Sequence, residues 1–494
     1  MQLTAKGKIE KNAIILILSE VLVKVIGLSI TIAVARMLGV EDFGLLAYAY
    51  ALAGICLVVP DFGFNRLTVR ELSRRTSRAS RFLVNISAFK AILYLPAAAT
   101  CTFIVFFNSQ DYSRLLVVMV VFLVLATQNH MLFACSFFRA IQKMEREGMV
   151  RLTLAALSLL TGIAVLFMGF GLKALVVSRL AVSVLCLFLS ILFLHRDLGV
   201  SLVKVSWRYS KTLIAMSTPL AIFTIFVTVY SFLNVVILGF IKGDIETGYY
   251  TAGLKIITLF SIVSRGLAEA SLPALSKYWR EDSIAFQQAS QKSMRHLLLL
   301  AIPLAAGVFL LGGKAIILFF GTEFIPSVYV IKILAFSLIP DFLNTILAAI
   351  LISMNREKVA MEATGVGAVI ALGFCIMLIP RWGAVGAAYA WLTAETVVFF
   401  FQFCALYHRF GVAKQLVTAF RATLAAGLMG VVLICLIRIG IPIPFLVGLS
   451  IPVYAGALLA LGEVKITEVK FAMEVLQEQA QSLLRIGIFH ERSK

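Results

Sequence analysis

The sequence predicts an all-α integral membrane protein, with about fourteen transmembrane helices in two six-helix lobes plus two extra helices. Three observations predict it. Of 494 residues, 61% are hydrophobic and 14% are charged, with a mean hydropathy of +0.99. A soluble domain carries roughly 25% charged residues, so this chain has too little polar surface for a water-facing fold. Apolar runs of about 20 residues, the length that crosses a bilayer core as a helix, recur along the chain. Finally, the sequence repeats weakly with an offset of about 204–212 residues.

The expected spans are 12–38, 43–65, 82–108, 113–138, 149–170, 172–195, 210–241, 247–273, 293–320, 327–354, 358–379, 384–407, 415–438 and 441–461. The close-set edges at 170/172 and 438/441 are tight turns marked by Gly169 to Gly171 and by Gly440-Ile441-Pro442. The first apolar run, from Ala13, is too long for a cleavable signal peptide and lacks a small-residue cleavage site, so it is expected to be the first span.

Orientation follows from lysine and arginine in the loops. The chain holds 44 Lys+Arg against 25 Asp+Glu, a net charge of +19. Thirty-one of the cations lie on the N-terminus, the even-numbered loops and the C-terminal tail, and seven lie on the other side. Both termini are therefore expected in the cytoplasm, which requires an even number of spans. In a soluble protein such a charge balance suggests nucleic acid; here most of it is topological, and no nucleic-acid partner is expected. The loop from Arg66 to Arg81 carries six arginines and one acid, Glu71, and suits anionic lipid at the cytoplasmic surface. The remaining six cations, Lys24, Lys90, Arg179, Lys255, Arg265 and Lys332, fall inside spans, where a charge is expensive and marks a candidate functional site.

Two pairs of segments carry the repeat. Leu38-Gly39-Val40-Glu41-Asp42-Phe43-Gly44 opens span 2, and Gly243-Asp244-Ile245-Glu246-Thr247-Gly248 opens span 8. Gly171-Leu172-Lys173-Ala174 opens span 6, and Gly383-Ala384-Val385-Gly386-Ala387 opens span 12. Six spans per half is an even number, so the halves share one orientation and form a parallel repeat, the arrangement that places a transport site at the bilayer midplane. The lobes are expected at 1–205 and 206–412, with the extra helices at 413–462. The tail, 463–494, has apolar residues at helical spacing from Ile466 to Leu483 and is expected to be an amphipathic helix at the cytoplasmic surface.

Several function classes are excluded or disfavoured. The seven cysteines sit singly in apolar runs and are expected to be buried small hydrophobes, with no metal-ligand spacing. Gly307 and Gly312 have P-loop spacing, but Gly313 stands where lysine is needed and Ala315 follows Lys314, so ATP does not drive this chain directly. No HExxH or nucleophile elbow is present, and no metal or other cofactor is expected. Asn85-Ile86-Ser87 is a formal glycosylation sequon on the expected cytoplasmic side.

An ordered set of motifs resembles the polysaccharide flippases of the multidrug/oligosaccharidyl-lipid/polysaccharide exporter superfamily, which translocate O-antigen and exopolysaccharide units. The set begins with Ala35-Arg36-Met37-Leu38-Gly39-Val40-Glu41-Asp42-Phe43-Gly44, then Asp61-Phe62-Gly63-Phe64 and Arg70-Glu71. It continues through Tyr250-Thr251-Ala252-Gly253-Leu254-Lys255, Leu272-Pro273-Ala274-Leu275-Ser276, Gly321-Thr322-Glu323-Phe324 and Ile379-Pro380-Arg381-Trp382-Gly383-Ala384-Val385-Gly386-Ala387-Ala388. The resemblance covers nearly the whole chain. It implies a two-lobed inner-membrane transporter, not an enzyme, that moves undecaprenyl-diphosphate-linked oligosaccharide by alternating access. Glycosyltransferases and a glycan polymerase are the implied pathway partners.

A lipid diphosphate is a multiply charged anion, so cations inside the membrane are its candidate binding residues. Lys24 lies mid-span 1, where lipid-II flippases of the same superfamily also place a basic residue; Glu20, one turn earlier, could instead neutralise it. Lys255 has no acid at i±3 or i±4. Arg265 could bind substrate or pair with Glu269, while Lys90 and Arg179 complete the candidate set. Asp341 and Glu395, near the middle of spans 10 and 12, could carry coupling protons or balance the cations. Asp61 is expected to cap a turn. A cation-coupled multidrug antiporter of the same superfamily is the alternative, but it requires acids where span 1 carries Lys24. A membrane enzyme would show a larger outward loop than any here, and a non-transporting scaffold is a further alternative.

Overall fold

The structure, a computed structural model, describes residues 5–74, 76–109, 111–201, 203–407 and 412–464, with side chains from residue 22 onward apart from 223 and 412–414. The described residues are helical almost throughout. In a bilayer a helix satisfies every backbone N–H and C=O within one segment, which an isolated strand cannot do. The helices are α1 (Ala5–Asp61), α2 (Phe64–Leu72), α3 (Ala79–Asn108), α4 (Tyr112–Ala140), α5 (Met144–Phe167), α6 (Gly171–Leu198) and α7 (Trp207–Ile241). They continue as α8 (Asp244–Glu281), α9 (Ser283–Phe320), α10 (Ser327–Ser353), α11 (Glu357–Leu406), α12 (Val412–Arg438) and α13 (Ile443–Ala460).

Among the described residues, twelve helical stretches are long and apolar enough to cross a membrane. The difference from fourteen lies in α1 and α11. Each joins two expected spans without an intervening loop, broken only at Gly39 (φ 82°, ψ −177°) and Gly383 (φ 52°, ψ −127°). Both φ values are in the region that favours glycine. At 1.5 Å per residue, the 50 residues of α11 measure about 75 Å, against roughly 30 Å of hydrocarbon. The tight turns expected at Gly169 to Gly171 and at Gly440 are present, with positive φ at all three glycines named.

The chain packs into two compact units. The first comprises Met1–Ile256, Ile316–Leu334 and Lys358–Val398; the second comprises Ile257–Ala315, Ala335–Glu357 and Phe399–Lys494. These units gather helix ends by proximity and divide α8, α9, α10 and α11 part-way. The lobes at 1–205 and 206–412 are a division along the chain and belong with the proposed function below.

In the first unit, α2 is a helix that hydropathy does not predict. Its nine residues are amphipathic: Phe64, Leu67, Thr68 and Leu72 are buried while Arg66 and Arg70 face outward. They pack with Phe82, Ile86, Phe133, Phe137 and Leu213. Asn85 of the formal sequon is buried here, its side-chain oxygen accepting from the Ser206 N–H at 2.7 Å. In the second unit, Leu311, Met429, Leu433 and Leu446 pack together, joining α9 to α12 and α13. Here Cys404 and Cys435 are exposed on helix faces, contrary to the expectation that all seven cysteines are buried. The tail helix expected from Ile466 lies outside the described residues.

Candidate functional site

The six cations inside the expected spans fall into different surroundings. Lys90 of α3 is fully buried. Its ammonium donates to Asn129 Oδ1 at 2.7 Å, lies 3.9 Å from Asp61 Oδ1 and sits over the Phe133 ring at 4.9 Å. Asp61 in turn accepts from the side-chain amides of Asn65 (3.3 Å) and Asn129 (3.2 Å). Tyr94 extends the network, with its hydroxyl 2.8 Å from His130 Nδ1. Asp61, expected to cap a turn, bonds Asn65 within that turn and also stands as a counter-charge to Lys90, whose partners come from α1 and α4.

Arg179 and Lys255 lie within electrostatic reach of each other. Arg179, half-buried on α6, donates from Nη1 to the Tyr50 hydroxyl at 2.8 Å. Lys255, exposed on α8, is close enough for the Arg179 charge to act on it. The two residues come from opposite sides of the expected lobe boundary, 76 positions apart, and both belong to the first unit. Lys24 is half-buried on α1 in the same unit. The side chain of Glu20 lies outside those described.

In the second unit, Asp341 of α10 accepts a hydrogen bond from Ser261 Oγ at 2.7 Å, and Arg265 acts on it electrostatically. Arg265 and Glu269 are both exposed, and no ion pair joins them among the described residues. Back in the first unit, Glu395 of α11 is buried and acts on Tyr250, whose hydroxyl accepts from Asn234 Nδ2 at 3.3 Å. Among the described residues, no cluster of His, Cys, Asp and Glu could hold a metal ion.

Sequence reasoning passed over a second group of polar contacts, at the end of the first unit that carries Gly39. Arg36 donates to main-chain carbonyls at the C-terminus of α9, Phe319 O at 2.9 Å and Leu318 O. Arg114, in the first turn of α4, donates to Gly239 O near the C-terminus of α7 at 3.2 Å. It also pairs with Asp244 Oδ1 at 3.1 Å and lies over the Tyr48 ring at 4.7 Å. Glu246 accepts from the Ala384 N–H at 2.7 Å, beside the Gly383 break. The signal for Arg36 is its place in the quoted motif; Arg114 stands in sequence only as a cation near a helix end.

These observations define a many-span helical membrane protein with cations held at membrane depth. The fold matches that of a solved lipid II flippase in an inward closed conformation, with a TM-score of 0.73, 14% identity, and coverage of 91% of this chain and 98% of that one. The family model described as polysaccharide biosynthesis protein matches residues 9–279, and the chain belongs to that family. The chain is 24% identical over 359 residues to the probable low-salt glycan biosynthesis flippase Agl15 of Haloferax volcanii, covering 72% of this chain and 74% of that one. It is 25% identical over 382 residues to a Shigella flexneri protein provisionally named an O-antigen transporter, covering 72% and 88%.

Proposed function

We propose that this chain is a flippase for undecaprenyl-diphosphate-linked oligosaccharide, working by alternating access between lobes at 1–205 and 206–412. The observation that carries the reading is the proximity of Arg179 and Lys255. Two cations from opposite sides of the expected lobe boundary, close enough for one charge to act on the other, offer a site for a multiply charged anion, which enters a low-dielectric region only where cations compensate it. Lys24 and Arg265 add to this set, and Asp341 and Glu395 balance it or carry coupling protons. Lys90, committed to Asp61 and Asn129, has the weakest claim to substrate. The names of the two relatives, one for glycan flipping and one for O-antigen transport, support the same substrate class.

In this reading α1 and α11 each cross twice, giving fourteen spans, and the excess of loop cations sets both termini in the cytoplasm of the inner membrane. The Gly39 end then faces outward. The chain performs no covalent chemistry; glycosyltransferases and a polymerase act before and after it. The test is surface glycan display in a deletion strain complemented with Lys24→Ala or Lys255→Ala. Hydrogen bonds to charged groups contribute about 1.5–3 kcal/mol, so each variant is expected to lose at least tenfold at normal membrane abundance. Display at the wild-type level in both variants would overturn the cationic site.

A further inference from the structure

The Gly39 end of the first unit is closed by direct backbone contact between two segments that the repeat relates to each other. Gly44 lies against the carbonyl of Asp244, and a Cβ there would stand 2.7 Å from the amide nitrogen of Gly248. Gly248 lies against the carbonyl of Val40, and Gly239 against the ring of Tyr48. Gly44 and Gly248 are repeat counterparts, 204 positions apart, so each half meets its own equivalent. At Gly44 and Gly248 no residue with a side chain fits without moving main chain. Behind them Phe43, Phe320 and Phe324 form a trio with ring centroids 5.5–5.9 Å apart.

Charge holds the seam shut. The last carbonyls of a helix lack intrahelical partners and form the negative end of its dipole. Arg36 covers those of α9 and Arg114 covers one of α7, so two arginines from the first half clamp two helix ends of the second. Arg114 also neutralises Asp244, on which Glu41, Asp42 and Asp111 act as further negative charges. Without Arg114, Asp244 keeps only the unfavourable influence of those three acids. On the second-half side, Glu246 ties the α7–α8 turn to the Gly383 break, so that side is braced as one piece.

We infer that this seam is the outer gate of the transporter: the Gly44–Gly248 contact is its closed position and Arg36 and Arg114 are its clamp. The inference rests on the transport reading above, since a headgroup leaving between the halves must part these segments. The test reads closure directly. Val40 is buried in the seam, and a cysteine placed there (Val40→Cys), with the exposed Cys404 and Cys435 replaced by serine, reports whether a membrane-impermeant maleimide reaches it from outside intact cells. In the Val40→Cys parent, labelling is low. Adding Arg114→Ala or Gly44→Ala raises it at least fivefold, and Arg114→Asp alone does the same. Combining Arg114→Asp with Asp244→Arg returns labelling to within twofold of the parent. Arg139→Ala, which breaks an ion pair with Glu147 elsewhere, leaves labelling unchanged. If the single variants stay at parent labelling with normal membrane abundance, or if the charge swap labels as strongly as the singles, the gate is refuted. If labelling follows the expectation but a strain lacking the chain displays glycan normally, the gate stands and the substrate assignment fails.

Discussion

Lys90 and the Arg179–Lys255 pair look alike in sequence and differ in the folded chain. All three are cations in apolar runs with no acid one turn away. Lys90 has every neighbour it needs inside its own network: a carboxylate on α1, an amide on α4 and an aromatic face. Arg179 donates to the Tyr50 hydroxyl, and its charge acts on Lys255. A buried ion with fixed counter-charges reads as a structural element, whereas the two cations acting on each other are the site proposed for the substrate. The difference is set by residues tens of positions distant, not by local pattern.

The contrast breaks most visibly at Lys90. Lys90→Ala leaves Asp61 without its cation and Asn129 without its donor, which destabilises by about 3–5 kcal/mol. Lys255→Ala is expected to leave the melting temperature in detergent within 2 °C of wild type while removing transport. Equal loss of melting temperature in the two variants would erase the distinction. Next, Lys90→Met combined with Asp61→Asn removes both charges together and is expected to recover most of the lost stability, because replacing a whole buried pair is far milder than removing one member. A double variant as unstable as Lys90→Ala would show that the pair is not what Lys90 serves.

Tyr50→Phe sharpens the other side. It removes the hydroxyl that orients Arg179 but keeps the ring, and is expected to reduce glycan display about fivefold, near 1 kcal/mol, with stability unchanged. The smallest effect belongs to Glu463, beyond the membrane end of α13. Burial alone would raise its pKa, but hydrogen bonds from Thr418, Arg295 and Arg421 hold the carboxyl below its ordinary value. Its contribution to stability is therefore present above the unfolded carboxylate pKa of about 4.3 and disappears as pH falls through the lower folded value. Glu463→Gln should remove that acid step from a plot of melting temperature against pH.

Much of the fold was legible because hydrocarbon imposes one solution on a long apolar run. What remained hidden had specific causes. The helix α2 is short and amphipathic, and hydropathy averages over it. Helices α8 and α9 continue past their apolar runs to Glu281 and back to Ser283, where Trp279 and Phe286 pack at 5.1 Å, because helical hydrogen bonding persists in water beyond the bilayer. The breaks at Gly39 and Gly383 leave no loop to detect. At the candidate site the cations were legible one at a time, since a charge in an apolar run stands out. Their partners were not, since Asp61 to Lys90, Tyr50 to Arg179 and Ser261 to Asp341 are all long-range contacts. The arginines at the Gly39 end were hidden for the opposite reason: an arginine near a helix end is what topology alone already requires.

The contact between Gly44 and Gly248 also bears on how such a chain can change over generations. A residue touching its own counterpart is what two identical subunits show on a two-fold axis, where every substitution is made twice. In one continuous chain the two positions are inherited separately. Both clamp arginines stand on the first half, an asymmetry closed to a dimer of identical halves. If the proposed gate and repeat hold, a single chain can alter how firmly one face shuts by single steps, without disturbing the equivalent position of the other half.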